Sequence, residues 1–314
     1  SRESQTLHVS NIDAFGGKDP SRTQQSFNSF AQSQDYFAWI SLQVRNCKFH
    51  NFFSAHRGSV FFVWTTGNVT IDGDSAFTYN TVADRREVFG GGAVSLGYIA
   101  EDAYVNITAT FHNNAVVYPY PFGSEHGEGG AIFAEYSTGH VYIGGEFKNN
   151  FAADGGAVHI KNVESGTLTL DGHFEHNMAL DTGAGCRGGA LRIFNLTAPV
   201  ILRGTYVDNL SDTGRGAVVA LNILNRNSSV ELDGEFRLNT CGTQGAVVSQ
   251  TSSFFGEITY KKGCKMLGNE GYDNPKSNIM YIQRPVVQRL THEDLVVDAS
   301  GGIVEDLKFV MITA

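Results

Sequence analysis

Residues 141–158 read VYIGGEFKNNFAADGGAV and contain one complete copy of a repeated phrase. Alternating residues lead to an aromatic side chain, Phe147, and Asn150 follows three positions later. A short loop then reaches Gly155-Gly156-Ala157-Val158. The same phrase recurs through most of the chain with a period of roughly 30 residues, which predicts stacked supersecondary units rather than one compact enzyme domain.

The two halves of the phrase alternate along the chain. The first half, Phe-x-x-Asn with one Tyr in place of Phe, runs from Phe77 to Asn80, Phe111 to Asn114, Phe147 to Asn150, Phe174 to Asn177, Tyr206 to Asn209 and Phe236 to Asn239. The second half, Gly-Gly-Ala plus an aliphatic residue, begins at Gly91, Gly129, Gly155 and Gly188, with shortened forms at Gly216 and Gly245. Counting back from each aromatic in steps of two meets mostly apolar residues, so a strand with one buried face precedes it.

This pattern predicts an all-β chain folded as a parallel β-helix of roughly eight coils, spaced by about 4.8 Å. We expect a cap or extension over residues 1–40, the repeats over 41–280, and a cap or exchanged strand over 281–314. The aromatic residues should stack as an interior ladder, with a small Gly or Ala two positions earlier leaving room for the rings. The Asn residues should stack at the turn, where Asn tolerates a left-handed backbone.

The paired motifs resemble those of the chlamydial polymorphic membrane proteins, and the resemblance covers about residues 49–280. It implies a right-handed β-helix passenger that acts as a surface adhesin. The chain shows no sign of the C-terminal membrane barrel of such proteins, and it carries several glycosylation sequons.

Composition limits the partners. The net charge of -9 and the absence of a basic stripe argue against nucleic acid or anionic lipid as the main partner. No apolar run is long enough to span a bilayer, so we expect no membrane span. The chain begins at Ser1 without Met, as a trimmed secretory product or an excised segment would, and we expect an extracellular or cell-surface location.

N-linked glycans are the expected modification, and no other cofactor is predicted. Sequons at Asn68, Asn106, Asn195 and Asn227 are the predicted sites. A fifth sequon, at Asn209, falls in the Asn column of the turn, and we expect it to be unmodified.

The four cysteines are too few for a disulfide framework in a chain of this length. Cys47 and Cys264 take the small inward position two residues before the aromatic slot, so we expect both to be buried. Cys186 and Cys241 lie in turn segments and would pair only if the loops bring them together.

The sequence offers no catalytic, cofactor-binding or metal-binding constellation. A β-helix enzyme acting on polysaccharides needs clustered carboxylates, whereas Asp72, Asp171 and Asp233 recur at one position before Gly and resemble solvated turn residues. Asp181 and Asp212, each followed by Thr-Gly, occupy the same turn in consecutive repeats rather than a protease cleft. The histidines of the middle coils lack metal-ligand spacing and are expected to point outward: His126, His140, His159, His173 and His176.

Both ends of the chain lie outside the repeat. Asp19-Pro20 suggests a short helix with Phe27, Phe30 and Ala31 on one face. The extreme C-terminus predicts a strand that is apolar on both faces and serves as an assembly segment: Leu307, Phe309, Val310, Met311 and Ile312. Such a strand would either cap its own chain or add to a neighbouring subunit.

The first interpretation is therefore a non-enzymatic extracellular structural glycoprotein that assembles with itself into a surface filament. The alternatives are a monomeric adhesin passenger, which binds cell-surface proteins or glycans, and a polysaccharide-active enzyme. A long groove lined by acids and aromatic residues would favour the enzyme, whereas glycan-covered flanks and buried ends would favour the filament.

Overall fold

The computed structural model describes residues 4–16, 29–33, 39–54, 57–83, 90–117, 127–180, 186–225, 228–243, 245–250, 257–261, 263–271, 280–283, 289–292, 296–298 and 311–312. Within these ranges all regular structure is β, and no residue is helical. No described segment is therefore a helix long and apolar enough to cross a membrane.

The strands are short and evenly spread. The first half of the chain contains β1 (Ser4–Ser10), β2 (Asp13–Phe15), β3 (Ala31–Ser33), β4 (Trp39–Arg45), β5 (Lys48–His50), β6 (Phe53–Ser54), β7 (Phe61–Ile71), β8 (Ala76–Thr78), β9 (Thr81–Ala83), β10 (Val94–Ile99), β11 (Tyr104–Ile107), β12 (Thr110–His112), β13 (Ala115–Val117), β14 (Ile132–Ser137), β15 (His140–Lys148) and β16 (Phe151–Ala152). The second half contains β17 (Val158–Val163), β18 (Leu168–Glu175), β19 (Met178–Ala179), β20 (Leu191–Leu196), β21 (Pro199–Val207), β22 (Leu210–Ser211), β23 (Val219–Leu224), β24 (Ser229–Arg237), β25 (Thr240–Cys241), β26 (Val248–Gln250), β27 (Glu257–Tyr260), β28 (Lys265–Leu267), β29 (Glu270–Gly271), β30 (Met280–Gln283), β31 (Arg289–His292), β32 (Val296–Asp298) and β33 (Met311–Ile312).

Each strand pairs in parallel with its counterpart in the next turn, so the chain forms a β-solenoid of about seven turns. The predicted fold class is confirmed. We call the stack that starts after Gly-Gly-Ala the first wall; β10, β14, β17, β20 and β23 belong to it. The second wall carries the aromatic residues and includes β11, β15, β18, β21 and β24. The eight-stranded sheet, from β6 to β29, is the third wall.

The interior contains the predicted aromatic ladder. Rings of adjacent turns stack with centroids 4.7–5.2 Å apart in the order Phe49, Phe77, Phe111, Phe147, Phe174, Tyr206 and Phe236. All seven side chains are fully buried. The Tyr206 hydroxyl donates to the Leu170 carbonyl oxygen (3.3 Å), which satisfies the single polar atom in the column.

A second interior ladder consists of Asn80, Asn114, Asn150, Asn177, Asn209, Asn239 and Asn269. Each amide Nδ2 donates to the Oδ1 of the next Asn and to the carbonyl oxygen of an aromatic residue of the preceding turn; Asn177, for example, donates to Asn209 (3.0 Å) and to Phe147 (2.9 Å). The backbone N–H of Asn177 also donates to Asn209 Oδ1. The ladder therefore satisfies side chains that would otherwise be costly to bury.

Two details of the turn differ from expectation. The left-handed residue is not the Asn but the one before it, as at Asn113 (φ 55°), His176 (φ 53°) and Leu238 (φ 57°). The glycine two positions before the aromatic does not make room for a ring either. A Cβ on Gly204 would lie 2.2 Å from the backbone oxygen of Gly172 in the preceding turn, so backbone approach requires this glycine.

The terminal segments contribute strands to the same stack. β1 pairs with β4, and β33 pairs with β30 of its own chain. Ala31 lies in strand β3 and Phe30 in a bend rather than in the expected helix, and residues 17–28, which include Asp19, Pro20 and Phe27, lie outside the described residues. Leu307, Phe309 and Val310 also lie outside them, so the assembly segment stays a prediction.

The cysteines are all buried, and none of the four forms a disulfide. Cys47 and Cys264 occupy the predicted interior position. Cys186 and Cys241 are not joined, which answers the question that the sequence left open. The Cys186 Sγ lies instead 3.7 Å from the Ser211 hydroxyl oxygen.

Candidate functional site

The outer side of the first wall carries a column of buried side chains that the repeat pattern did not predict. In each turn the second residue of the strand points away from the aromatic core, yet it is at most 1% exposed at Ser95, Phe133, His159, Arg192 and Ser249. Pairing in register places these residues on successive turns. Buried outward positions indicate a covered surface rather than a solvated one.

Arg192 is the most unusual member of this column. Its side chain is fully buried, and Nε, Nη1 and Nη2 have no hydrogen-bond partner among the described residues. The guanidinium lies 5.9 Å from the centre of the Phe194 ring. Burial lowers the pKa of Arg192 to about 10, so it remains charged at neutral pH. A charged group in this state destabilises the folded protein, because it has lost its hydrating water molecules and forms no hydrogen bonds in their place.

A second column lies directly before the glycines that open each wall strand. Glu128, Asp154, Arg187 and Arg215 are bridge partners in turn, so four charged residues occupy four adjacent turns. Glu128 and Asp154 are buried, and Glu128 Oε2 and Asp154 Oδ1 have no hydrogen-bond partner within the described ranges. The two acids therefore lie on adjacent turns, a juxtaposition that the sequence did not predict.

Burial also decides the protonation of Glu128. It raises the pKa of the carboxyl from 4.5 to about 8, with Lys161 acting in the opposite direction and Asp154 raising the pKa further. Glu128 is therefore mostly neutral at pH 7, whereas its neighbour Arg192 remains cationic. The chemical result is an acid that holds its proton beside a buried cation.

His159 corrects a further expectation. It points outward as expected, but it is only 1% exposed, and its Nδ1 lies 3.9 Å from Glu128 Oε1. Its ring packs edge-on against Phe133 with centroids 5.7 Å apart. Among the other histidines, His140, His173 and His176 do reach solvent, and His126 lies outside the described residues. No group of three metal-ligating side chains occurs in the described part of the chain.

Exposed aromatic side chains follow the same wall. Tyr98 and Tyr136 face each other across adjacent turns and are 40% and 41% exposed, and Phe194, two turns further, is 40% exposed. We call these three residues the aromatic strip. At its N-terminal end Trp64 lies under the Arg57 guanidinium (4.3 Å), and Arg57 forms an ion pair with Glu135 at 3.2 Å.

The predicted glycosylation sites lie at different depths. Asn68 is exposed, and its Oδ1 accepts a hydrogen bond from the Tyr104 backbone N–H. Asn106 and Asn195 are half-buried, and Asn195 is in register with Asn162 and so lies beside the aromatic strip. Asn227 lies outside the described residues. The fifth sequon residue, Asn209, is fully buried in the Asn ladder.

No family model, curated protein or solved structure matches the chain. The parallel solenoid agrees with the β-helix passenger that the motif resemblance implies.

An alignment of the repeats with one another would have found this site. The position before Gly-Gly is charged in Glu128, Asp154 and Arg187, and again before the shortened motif at Arg215. Recurrence of charge at one repeat position was the available signal. The burial of that position was not readable from sequence, because it depends on what covers the wall.

Proposed function

We propose that the chain is an extracellular, non-enzymatic β-solenoid that binds glycan chains along the outer side of its first wall. It would act as an adhesin passenger, as its resemblance to the chlamydial polymorphic membrane proteins implies. The observation that carries the proposal is the aromatic strip, whose three rings are 40–41% exposed beside a column of buried outward side chains on the same wall. Exposed aromatic groups that lie together on one wall mark a candidate binding surface.

The spacing of the strip suits a saccharide chain. Adjacent turns are about 4.8 Å apart, which is close to the length of one pyranose ring. Tyr98 and Tyr136 would stack on neighbouring sugars, and Phe194 would stack on a sugar two turns further on. Polar groups between the rings, such as Lys161 and Asn162, are half-buried and would bond the sugar hydroxyls.

Affinity electrophoresis in gels that contain soluble polysaccharides tests this function. We expect the protein to be retarded by at least one neutral or acidic polysaccharide, and Tyr136→Ala and Phe194→Ala to weaken the retardation by about tenfold in affinity, since a stacked ring contributes roughly 1 kcal/mol or more.

The matched control is Tyr79→Asn. Tyr79 is 56% exposed but lies in the turn after β8, where the equivalent positions are Asn113 and Asn149. Equal binding by all variants would contradict the proposal. Release of reducing ends would instead favour the enzyme, with Glu128 as the protonated acid.

The self-assembling filament is the second candidate, and one observation favours it. Leu7 points into the interior and is 37% exposed, although its partner in the next turn, Leu42, is fully buried. The N-terminal end of the core is thus partly open to another surface. Electron microscopy of the native protein and of a chain truncated before Ile303 tests the assembly segment. Filaments that vanish on truncation would support it, and isolated rods in both samples would contradict it.

A further inference from the structure

Three arginines gather at the C-terminal part of the first wall. Arg187 and Arg215 are bridge partners on adjacent turns, and Arg192 lies five residues after Arg187 in the same turn. Arg187 is near enough to Arg192 to lower the pKa of its guanidinium. Like charges repel, so such a gathering on its own is unfavourable.

Among the described residues, two acids act on the Arg192 guanidinium, Asp154 and Glu128. Asp154 is the bridge partner of Arg187, and Glu128 holds its proton at neutral pH because burial raises its pKa to about 8. Within the described part of the chain, Arg192 therefore has one charged acid near it, in a protein whose net charge is -9. Sequence composition alone gave the opposite expectation for anionic partners.

The three nitrogens of Arg192 supply a second, independent observation. All are buried, and none has a hydrogen-bond acceptor in the described ranges. A buried guanidinium without acceptors is an unmet requirement that an oxyanion would satisfy, because a carboxylate or sulfate can accept two parallel N–H bonds. Arg187 and Arg215 are half-buried, so both are partly accessible to solvent.

We propose that Arg187, Arg192 and Arg215 bind the anionic group of an acidic glycan, a carboxylate or a sulfate ester. This inference rests on the proposed glycan binding and names its substrate class. Phe194 lies beside the Arg192 guanidinium, so one sugar ring would stack on Phe194 while its anionic group reaches the arginines. Asp154 then accepts hydrogen bonds from sugar hydroxyls or from the arginines, and the protonated Glu128 carboxyl donates one.

The experiment compares matched polysaccharides by calorimetry: polygalacturonate against its fully methyl-esterified form, and dextran sulfate against dextran. The native protein should bind at least one charged form about tenfold more tightly than its neutral counterpart, and added salt should reduce the difference. A preference for only one charged form identifies the anion as carboxylate or sulfate.

The decisive variants are Arg187→Gln, which is half-buried and keeps the core intact, and Arg192→Met, which keeps the side-chain volume. Each should lose the preference for the charged polysaccharide and keep binding to the neutral one. The control is Arg203→Gln, which removes the same charge from an ion pair on the exposed second wall.

Three outcomes would overturn the inference: equal binding of charged and neutral forms by the native protein, an unchanged preference in Arg187→Gln, or an equal loss in Arg203→Gln. In each case binding of the neutral form would leave the proposed function intact. Failure to bind any polysaccharide would contradict the proposed function itself.

Discussion

The outer sides of the first and second walls carry similar residue types in opposite states. On the second wall, charges lie in solvent and are paired: Lys148 with Glu175 (2.8 Å), Arg203 with Asp233 (3.4 Å) and Lys261 with Glu231 (3.4 Å). On the first wall, Arg192, Glu128 and Asp154 are buried, and polar atoms of each have no hydrogen-bond partner among the described residues. Charged side chains that recur along a solenoid therefore cost little folding free energy where water remains. Where water is excluded the cost is large, and the recurrence indicates function.

The largest predicted loss in the free energy of unfolding comes from the interior Asn ladder. Asn177→Ala should lower the free energy of unfolding by about 4 kcal/mol, because it removes both donors and the acceptor of one ladder member and leaves buried groups of two turns unpaired. Asn162→Ala on the first wall, which loses one bond to the Glu135 carbonyl oxygen, should cost about 1 kcal/mol or less. Urea denaturation followed by circular dichroism measures both, and equal losses would contradict the ladder's role.

Removing one acid from each wall tests the contrast directly. Asp154→Asn should cost about 3 kcal/mol, because it removes the nearest negative charge from a buried guanidinium. Asp233→Asn should cost about 0.5 kcal/mol, because Arg203 remains in water. If the two variants are equally stable in urea, the buried acid and the exposed acid contribute equally to stability, which would contradict the contrast between the two walls.

The pH dependence of stability should have opposite signs on the two walls. The pKa of Glu128 is raised to about 8 by burial, so its stabilising contribution is complete below pH 4.5 and is lost as pH rises through 8. The slope is on the order of 1 kcal/mol per pH unit within that window. Glu128→Gln should flatten this decline in denaturation curves measured between pH 5 and 8.

Glu175 provides the matched control. A hydrogen bond from Lys148 lowers its pKa, so its contribution is present above pH 4.5 and is lost as pH falls through the lowered value. Glu175→Gln should still show the loss of stability that the native protein shows as pH rises from 5 to 8. A decline that persists in Glu128→Gln would assign it to another group.

The smallest effect concerns the sequon on the first wall. If Asn195 carries the predicted glycan, that glycan lies beside the aromatic strip and shields it. Asn195→Gln should then raise polysaccharide affinity modestly, whereas Asn68→Gln, at an exposed sequon outside the strip, should not. Gel retardation of protein produced in a glycosylating host measures the affinity of both variants. An identical change in affinity for the two variants would show that the Asn195 glycan does not shield the binding surface.

Sequence was sufficient for the interior and insufficient for the outer site. Phe147 and Asn150 recur as the same residue types at a fixed period, because both ladders need identical side chains in contact. The residue with the left-handed backbone varies in type from turn to turn, as Asn113, His176 and Leu238 show. Because it does not recur, the sequence pattern assigned the left-handed conformation to the recurring Asn that follows it.

The outer column of the first wall was missed for a related reason. The same strand position holds side chains of different chemical types, Ser95, Phe133, His159 and Arg192. The alternation of inward and outward side chains along a strand predicts that they are exposed to solvent. Only three-dimensional burial distinguishes such a column from the ion pairs of the second wall. Proximity among Glu128, Asp154 and Arg192 comes from the pairing register, which the sequence does not state.

The Asn ladder also gives the rod a direction. From Asn80 to Asn239 each amide donates to the Oδ1 of its C-terminal neighbour, and the second N–H of each amide donates to the backbone of the preceding turn, so every amide of the ladder has the same orientation along the axis. A new turn fits anywhere in such a series, provided that it brings its own Phe and Asn. The length of the molecule is therefore quantised: it can grow or shrink in whole steps of about 4.8 Å, and a fraction of a step would break the series.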